Sequence, residues 1–432
     1  MSGDRQWGFR TRALHAGGMP DPATGARAVP IYQSTSFVFE NTSDAADLFA
    51  LQKFGTIYSR ISNPTTAAFE ERMAALEGGI GAVATASGQA AEFLSITTLA
   101  GAGDHVVAAA GLYGGTYTLL ATTLARLGVE TTFVDNTSPD AFAAAIGDRT
   151  KLLYTEVIGN PSGAVADLEA LADVAHANGV PLVVDATFAT PYLCRPIEHG
   201  ADIVLHSATK FLGGHGTSIG GVVTEAGTFD WTASGRFGRF TEPVATYNGL
   251  QWHDNFGEYA FCTALRSEQL RDVGACLSPF NAFMLLQGIE TLPHRMEAHV
   301  ANARAVAEWL ADDARVSWVA HADLPDSPYR DLAAKYLPNG AGAIFTFGVK
   351  GGRKAGQRFI ESLELISHLA NVGDARTLVI HPASTTHQQL TDEQLEAAGV
   401  GGDMVRLSVG LEDLDDILWD LDRALDAASE LA

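Results

Sequence analysis

An α/β fold with a mostly parallel sheet, followed by a smaller second domain, is what this sequence predicts. Two observations carry the first part. Short apolar runs recur between residues 70 and 225 at Ala82–Ala86, His105–Ala109, Thr131–Val134, Lys151–Val157, Val180–Val184 and Ala201–Leu205. Ala-rich helical patterns lie between them, at Gln89–Leu99, Thr116–Leu127, Ala141–Ile146 and Asp167–Ala177. Near-continuous apolar strands alternating with helices belong to sheets covered on both faces, whose ligands sit beyond the carboxyl ends of the strands. The third observation is a change of pattern after Ser278-Pro279. A long helical stretch there leads to strand candidates Ala343–Val349, Leu378–Ile380 and Val405–Val409, with a closing helix from Asp413.

The boundaries follow from what surrounds these elements. Residues 1–70 are read as an N-terminal arm, because the first 60 or so are rich in Gly, Pro and Thr and lack the alternation. An arm of this kind is expected to pack on another subunit. Residues 71–277 form the larger domain and 278–432 the smaller. Within the larger one, the span 226–265 carries Phe229, Trp231, Phe237, Phe240, Tyr247, Trp252 and Phe256 without a clear period, and reads as a long ordered loop.

Composition narrows the function. A hydrophobic fraction of 47% with 18% charged residues suits an ordered globular chain, and the net charge of −23 opposes binding to nucleic acid or to an anionic membrane surface. No apolar run approaches the roughly 20 residues of a membrane helix, and the start offers no signal-peptide pattern. Three scattered cysteines, Cys194, Cys262 and Cys276, form neither a disulfide framework nor a zinc pattern, so a reducing cytoplasm is the expected compartment. His381 and His387 are six residues apart and match no metal-binding helix pair; they read as structural, and no metal is expected.

The chemistry centres on a lysine. The chain has six, and only Lys210, in Ser207-Ala-Thr209-Lys210-Phe-Leu-Gly-Gly, follows a buried strand with hydroxyls and glycines beside it. A partly desolvated amine loses its proton readily, which a Schiff-base lysine requires. Val180-Pro-Leu-Val-Val-Asp185 places an acid at the end of the preceding strand, where a buried carboxylate would keep a pyridine nitrogen protonated. Ser87, Gly88 and Gln89 stand between a strand and a helix, a setting in which free backbone N–H groups bind phosphate. Tyr113, before Gly-Gly at another strand end, could stack on an aromatic ring or move a proton. Singly, each motif has a bland alternative: an exposed lysine, a metal- or ribose-binding acid, an ordinary helix cap, a turn tyrosine. Together they point to pyridoxal 5′-phosphate.

These residues, in this order, resemble the Cys/Met-metabolism family of pyridoxal-phosphate enzymes, which have the type I, aspartate-aminotransferase-like fold. The resemblance runs from Leu14-His-Ala-Gly to Arg406-Leu-Ser-Val-Gly-Leu-Glu. It implies a seven-stranded sheet in the large domain and a C-terminal α+β domain. By the same resemblance, Tyr58 and Arg60 would reach the phosphate of a neighbouring subunit's cofactor, giving a homo-oligomer arranged as a dimer of dimers. Asn160 would lie near the ring hydroxyl. Arg406 would hold the substrate carboxylate, and Asn371 would contact substrate. The activity implied is γ-replacement on O-acetylhomoserine by sulfide or methanethiol, giving homocysteine or methionine and acetate, with small molecules as the only partners beyond the oligomer. Cystathionine synthesis and γ-elimination are the alternatives within the family. Gly115 stands where the γ-lyase branch typically has Cys, which weighs against elimination. A non-catalytic protein that keeps the fold as a scaffold is the alternative from another class.

Overall fold

The computed structural model describes residues 7–135, 138–160, 163–385 and 400–430. Seven strands form the first sheet: β1 (Gly81–Thr85), β2 (His105–Ala109), β3 (Glu130–Val134), β4 (Thr150–Glu156), β5 (Leu182–Asp185), β6 (Ile203–Ser207) and β7 (Gly221–Glu225). Their spatial order is β1-β7-β6-β5-β4-β2-β3. The β3–β2, β2–β4, β4–β5 and β5–β6 pairs are parallel, and β7 runs antiparallel to both β6 and β1. Strand β7 is not among the six apolar runs visible in the sequence; Gly221 and Thr224 interrupt it, yet all five residues are buried.

The centre of this sheet is dry. Leu152, Leu153, Tyr154, Leu182, Val183 and Val184 have no exposed surface, so both faces are covered, as the unbroken apolar runs require. Several adjoining helices start where a side chain satisfies a first free N–H group. Asn63 accepts from Thr65 before helix Pro64–Glu77, Ser87 from Ala90 before Gly88–Leu99, and Asp167 from Ala170 before Leu168–Ala177. The helical run expected from Thr116 begins at Gly114 and widens into a π-helix over Leu119–Leu124.

A second sheet holds β8 (Val316–Ala320), β9 (Ile344–Val349), β10 (Ser367–His368), β11 (Leu378–Ile380) and β12 (Met404–Ser408), in the order β10-β11-β12-β9-β8. The stretch after Ser278 is two helices, Pro279–Glu290 and Leu292–Ala311, separated at Thr291. Helix Leu414–Ser429 follows β12 and packs against helices Leu292–Ala311 and Gly352–Ser362.

Two expectations need correction. The aromatic span is no loop. It is a run of short helical turns (Gly238–Thr241, Trp252–Phe256, Ala260–Ala264 among them) around a small aromatic core. Trp231 lies 4.4 Å from Phe240 and 5.2 Å from Phe237, ring centre to ring centre, and Trp252 is fully buried. Edge-to-face and offset packing of large rings supplies the order that a periodic pattern would otherwise announce. The arm, too, is less extended than its composition suggests. Helices Phe9–His15 and Thr42–Phe49 interrupt it, and the first lies against Pro64–Glu77 and Pro279–Glu290.

Candidate active site

The strand order reverses between β2 and β4, because the chain moves outward through β3 on one side and through β5 and β6 on the other. Ligands of such sheets bind at that reversal, outside the carboxyl ends of the strands. A cavity of about 270 Å³ opens there. It is lined by Ser87, Gly88, Gln89, Tyr113, Asn160, Asp185, Ser207, Thr209, Lys210, Asn371 and Arg406, which are eleven of the thirteen residues singled out in the sequence.

Each arrives by a traceable route. Tyr113 sits four residues past β2, Asp185 ends β5, Ser207 ends β6, and Lys210 follows three residues on. Thr187 connects two of these ends: its N–H donates to Asp185 Oδ1 (2.7 Å) while its Oγ1 accepts from Ser207 N–H (2.8 Å). Thr209 is fastened to Gly220, accepting from its N–H at 3.1 Å and donating to its carbonyl at 3.2 Å. Arg406 comes from β12 of the second sheet and Asn371 from the loop between β10 and β11. Gly373 makes that approach possible: its φ is +72°, and a Cβ there would lie 2.7 Å from Phe211 N and 3.1 Å from Lys210 Cβ.

Lys210 Nζ donates to Asn371 Oδ1 at 2.5 Å. Burial, reinforced by the Arg406 charge, lowers the pKa of the amine, so more of it is the free base near neutrality than of an exposed lysine. Arg406 Nη1 donates to Asn160 Oδ1 at 3.3 Å, and burial is the main influence on the guanidinium as well.

Tyr58 and Arg60 are absent from this lining. The Arg60 guanidinium lies 5.5 Å from the centre of the Tyr58 ring and donates to the Arg271 carbonyl. His381 is engaged by Ser384 Oγ (2.8 Å) and the Gly402 carbonyl (2.9 Å), whereas His387 lies outside the described residues.

The sequence reading missed two acids in the wall, Glu92 and Glu156. Glu156 was legible by the rule that found Asp185, since it too ends an apolar strand. Glu92 gave less signal: it sits one turn into helix Gly88–Leu99 among Ala, Phe and Leu. Its carboxyl accepts from Thr116 Oγ1 (3.0 Å) and Gln89 Nε2 (2.7 Å). Burial, and then the charge of Asp185, push it up to about 8 against those hydrogen bonds. The folded protein therefore keeps this proton from the ordinary value of 4.5 up to about 8, while the unfolded chain has released it. Its stabilising contribution is complete below the lower value and is lost as pH rises through the upper one. Thermal melts of cofactor-free protein from pH 5 to 8 should show Tm falling more steeply for wild type than for Glu92→Gln. Parallel curves would show that Glu92 is not the group responsible.

The donor set and the space fit a pyridoxal phosphate. A Cβ on Gly88 would come within 2.6 Å of Ser207 Cβ, so the start of the helix has room only for glycine and leaves its N–H groups bare beside two hydroxyls. The carboxylate of Asp185 and the amine of Lys210 line the same cavity. Comparison with known proteins then decides the family. The model of the Cys/Met metabolism PLP-dependent enzymes matches residues 10–426.

The chain belongs to that family.

Its members resemble it over nearly full length. A homocysteine synthase of Schizosaccharomyces pombe is 53% identical, covering 97% of this chain and 98% of the relative. An O-acetyl-L-homoserine sulfhydrylase of Leptospira meyeri is 51% identical over 96% of both. The crystal structure of a putative O-acetylhomoserine (thiol)-lyase from Campylobacter jejuni superposes with a TM-score of 0.93 at 37% identity, over 97% of this chain and all of the other. That structure contains a pyridoxyl-lysine monophosphate. This chain is accordingly a pyridoxal-phosphate-dependent enzyme of type I architecture.

Proposed function

We propose that this enzyme exchanges the γ-acetoxy group of O-acetyl-L-homoserine for sulfide, or for methanethiol, releasing acetate and homocysteine or methionine. The observation that carries the reading is the meeting in one cavity of an amine of lowered pKa, a half-buried acid and a half-buried guanidinium, in a chain about half identical to enzymes named for this reaction.

Pyridoxal phosphate, bound at this site, supplies an aldehyde for amino-group attachment and a ring that withdraws electrons from the neighbouring carbon. Lys210 is the attachment point, and its free Nζ takes the α-proton of the substrate and returns it. Asp185 holds the ring nitrogen protonated. Ser207, Thr209, Ser87 and the N–H groups of Gly88 and Gln89 bind the phosphate, where a helix start favours an anion. Arg406 grips the α-carboxylate through its rigid donor fork, and Asn160 orients that fork. Tyr113, in the cavity wall, would stack on the ring and could serve the leaving group or the released lysine as a proton carrier. Asn371 receives the Lys210 amine. A Cβ at Gly115 would lie 2.4 Å from the Tyr113 ring, so the branch carrying a side chain there needs a differently placed tyrosine. That favours replacement over elimination.

The site is completed by a second copy, in this reading, through Tyr58 and Arg60 of the arm (residues 1–70). Apolar side chains of the arm support it: Val38 is fully exposed and Phe54 is 77% exposed in the single chain, surface that another subunit would cover. The proposed assembly is a tetramer of two such dimers. A cytoplasmic setting suits the free, buried thiols of Cys194 and Cys262, and no helix among the described residues is long and apolar enough to cross a membrane.

The experiment is a side-by-side assay of O-acetylhomoserine with sulfide, methanethiol and cysteine on yellow, cofactor-loaded protein. Homocysteine should form much faster than 2-oxobutyrate, and faster with sulfide than cystathionine forms with cysteine. Release of 2-oxobutyrate at an equal rate would replace the transferase reading with elimination.

A further inference from the structure

We propose that Glu156 is a positioning residue that ties the Tyr113 loop to the Asn160 loop and thereby sets the carboxylate grip of Arg406; this rests on the reading of Tyr113 and Arg406 given above. Glu156 ends β4 and pairs in register with Asp185 on β5, so two carboxylates stand side by side at the edge of the parallel sheet. Their employment differs. Asp185 takes its one backbone hydrogen bond from Thr187, two residues along its own chain. Glu156 reaches outward with both oxygens. Its Oε1 accepts from the N–H of Tyr113, 43 residues away in the loop after β2 (2.7 Å). Its Oε2 accepts from the N–H of Asn160, in the loop after β4 (3.2 Å). Asn160 in turn receives Arg406 from β12 of the other sheet.

A single side chain thus spans the reversal of the strand order and connects three separately arriving pieces of the site. Only a carboxylate can do so, because it presents acceptors on both oxygens, whereas an amide presents one acceptor and one donor. The arrangement is costly for stability. Glu156 is 8% exposed and faces Asp185; burial first, and that charge second, raise its pKa while the two N–H groups oppose the rise. An apolar residue would fill the same space without that penalty. Two backbone N–H groups from separate loops thus share one carboxyl, and each loop is fastened to the same side chain at the end of β4.

The test uses Glu156→Gln and Glu156→Asp in the full-length, cofactor-loaded enzyme. Glu156→Gln should keep the visible absorbance and the cofactor titration of wild type, while kcat/KM for acetylhomoserine falls about 10- to 100-fold, shared between a lower kcat and a higher KM. Glu156→Asp, with both acceptors retained, should recover part of that loss. Hydrogen exchange supplies a readout independent of turnover. Amides around Tyr113 and around Asn160 should exchange faster together in Glu156→Gln, with those of β4 and β5 unchanged. Kinetics within twofold of wild type, faster exchange in one loop only, or faster exchange throughout both strands would each overturn the proposal. If Glu156→Gln does not fold, Glu156→Asp, one methylene short of both N–H groups, undergoes the same exchange comparison. Should wild type fail to use acetylhomoserine, the exchange result still decides the role of Glu156 by itself.

Discussion

Replacing Lys210 by alanine is expected to lower kcat by at least about 10³-fold, since one side chain provides both the cofactor's attachment point and the base at the reacting carbon. The structure explains why no other group can substitute. Lys210 Nζ is 2.5 Å from Asn371 Oδ1, within the cavity, and among the described residues no other lysine lines it. Of the other lysines, Lys53 and Lys335 sit in ion pairs with Asp44 and with Glu169, and Lys151 donates to the Arg236 carbonyl. Borohydride reduction followed by peptide mass analysis is the direct check. Wild type should carry the pyridoxyl mass on the peptide containing Lys210, and Lys210→Ala on none. A trapped pyridoxyl adduct at another lysine in the variant would remove Lys210 from the mechanism.

The second large effect is expected at Asp185. Asp185→Asn keeps the size of the side chain and an acceptor for Thr187 N–H, and removes only the charge. Removing a preorganised electrostatic partner of this kind costs about 10²- to 10³-fold in kcat. Burial already raises the pKa of Asp185, so in this wall the carboxylate is an anion that benefits strongly from a cationic partner. Affinity for the cofactor should fall together with kcat, and the absorbance of the bound cofactor should lose its dependence on a protonated ring nitrogen. Rates within a few-fold of wild type would sink the assignment of Asp185 as the ring's counter-ion.

Much of this site was legible in one dimension because its residues stand at strand ends. An apolar run of four to seven residues announces a buried parallel strand, and the first polar residue after it is delivered to the ligand edge. Asp185 follows that rule, Ser207 comes one place after the buried His206 and Lys210 three residues beyond the strand, and the Ser87-Gly88 turn follows the counterpart for helix starts. Glu156 obeyed the same rule and was passed over, since no lysine or glycine motif beside it drew the eye. Glu92 could not be read at all: an acid inside a helix of alanines looks like a solvated face until Thr116 and Gln89 are seen to enclose it. Strand β7 was hidden for a related reason, because a short run broken by Gly221 and Thr224 has no periodicity of its own and takes its place from β1 and β6.

The aromatic span shows the opposite failure. Residues 226–265 lack a period because their order comes from rings packed on rings, with Trp231, Phe237, Phe240 and Phe261 meeting across sequence gaps. Sequence patterns report contacts made at fixed spacing, and these are not.

What the linear order of residues determined by itself was the alternation of strand and helix, the end of the sheet at which the cavity opens, and the lysine, acid and Ser87-Gly88 turn that line it. These depend on local spacing and on the fate of the first polar residue after a buried run. Only the tertiary structure decided which pieces meet: Asn371 against Lys210, Arg406 against Asn160, and Glu156 between two loops, while Tyr58 and Arg60 remain outside the cavity of their own chain. Those encounters join residues up to 246 positions apart, and no short-range pattern encodes the packing of one sheet against another.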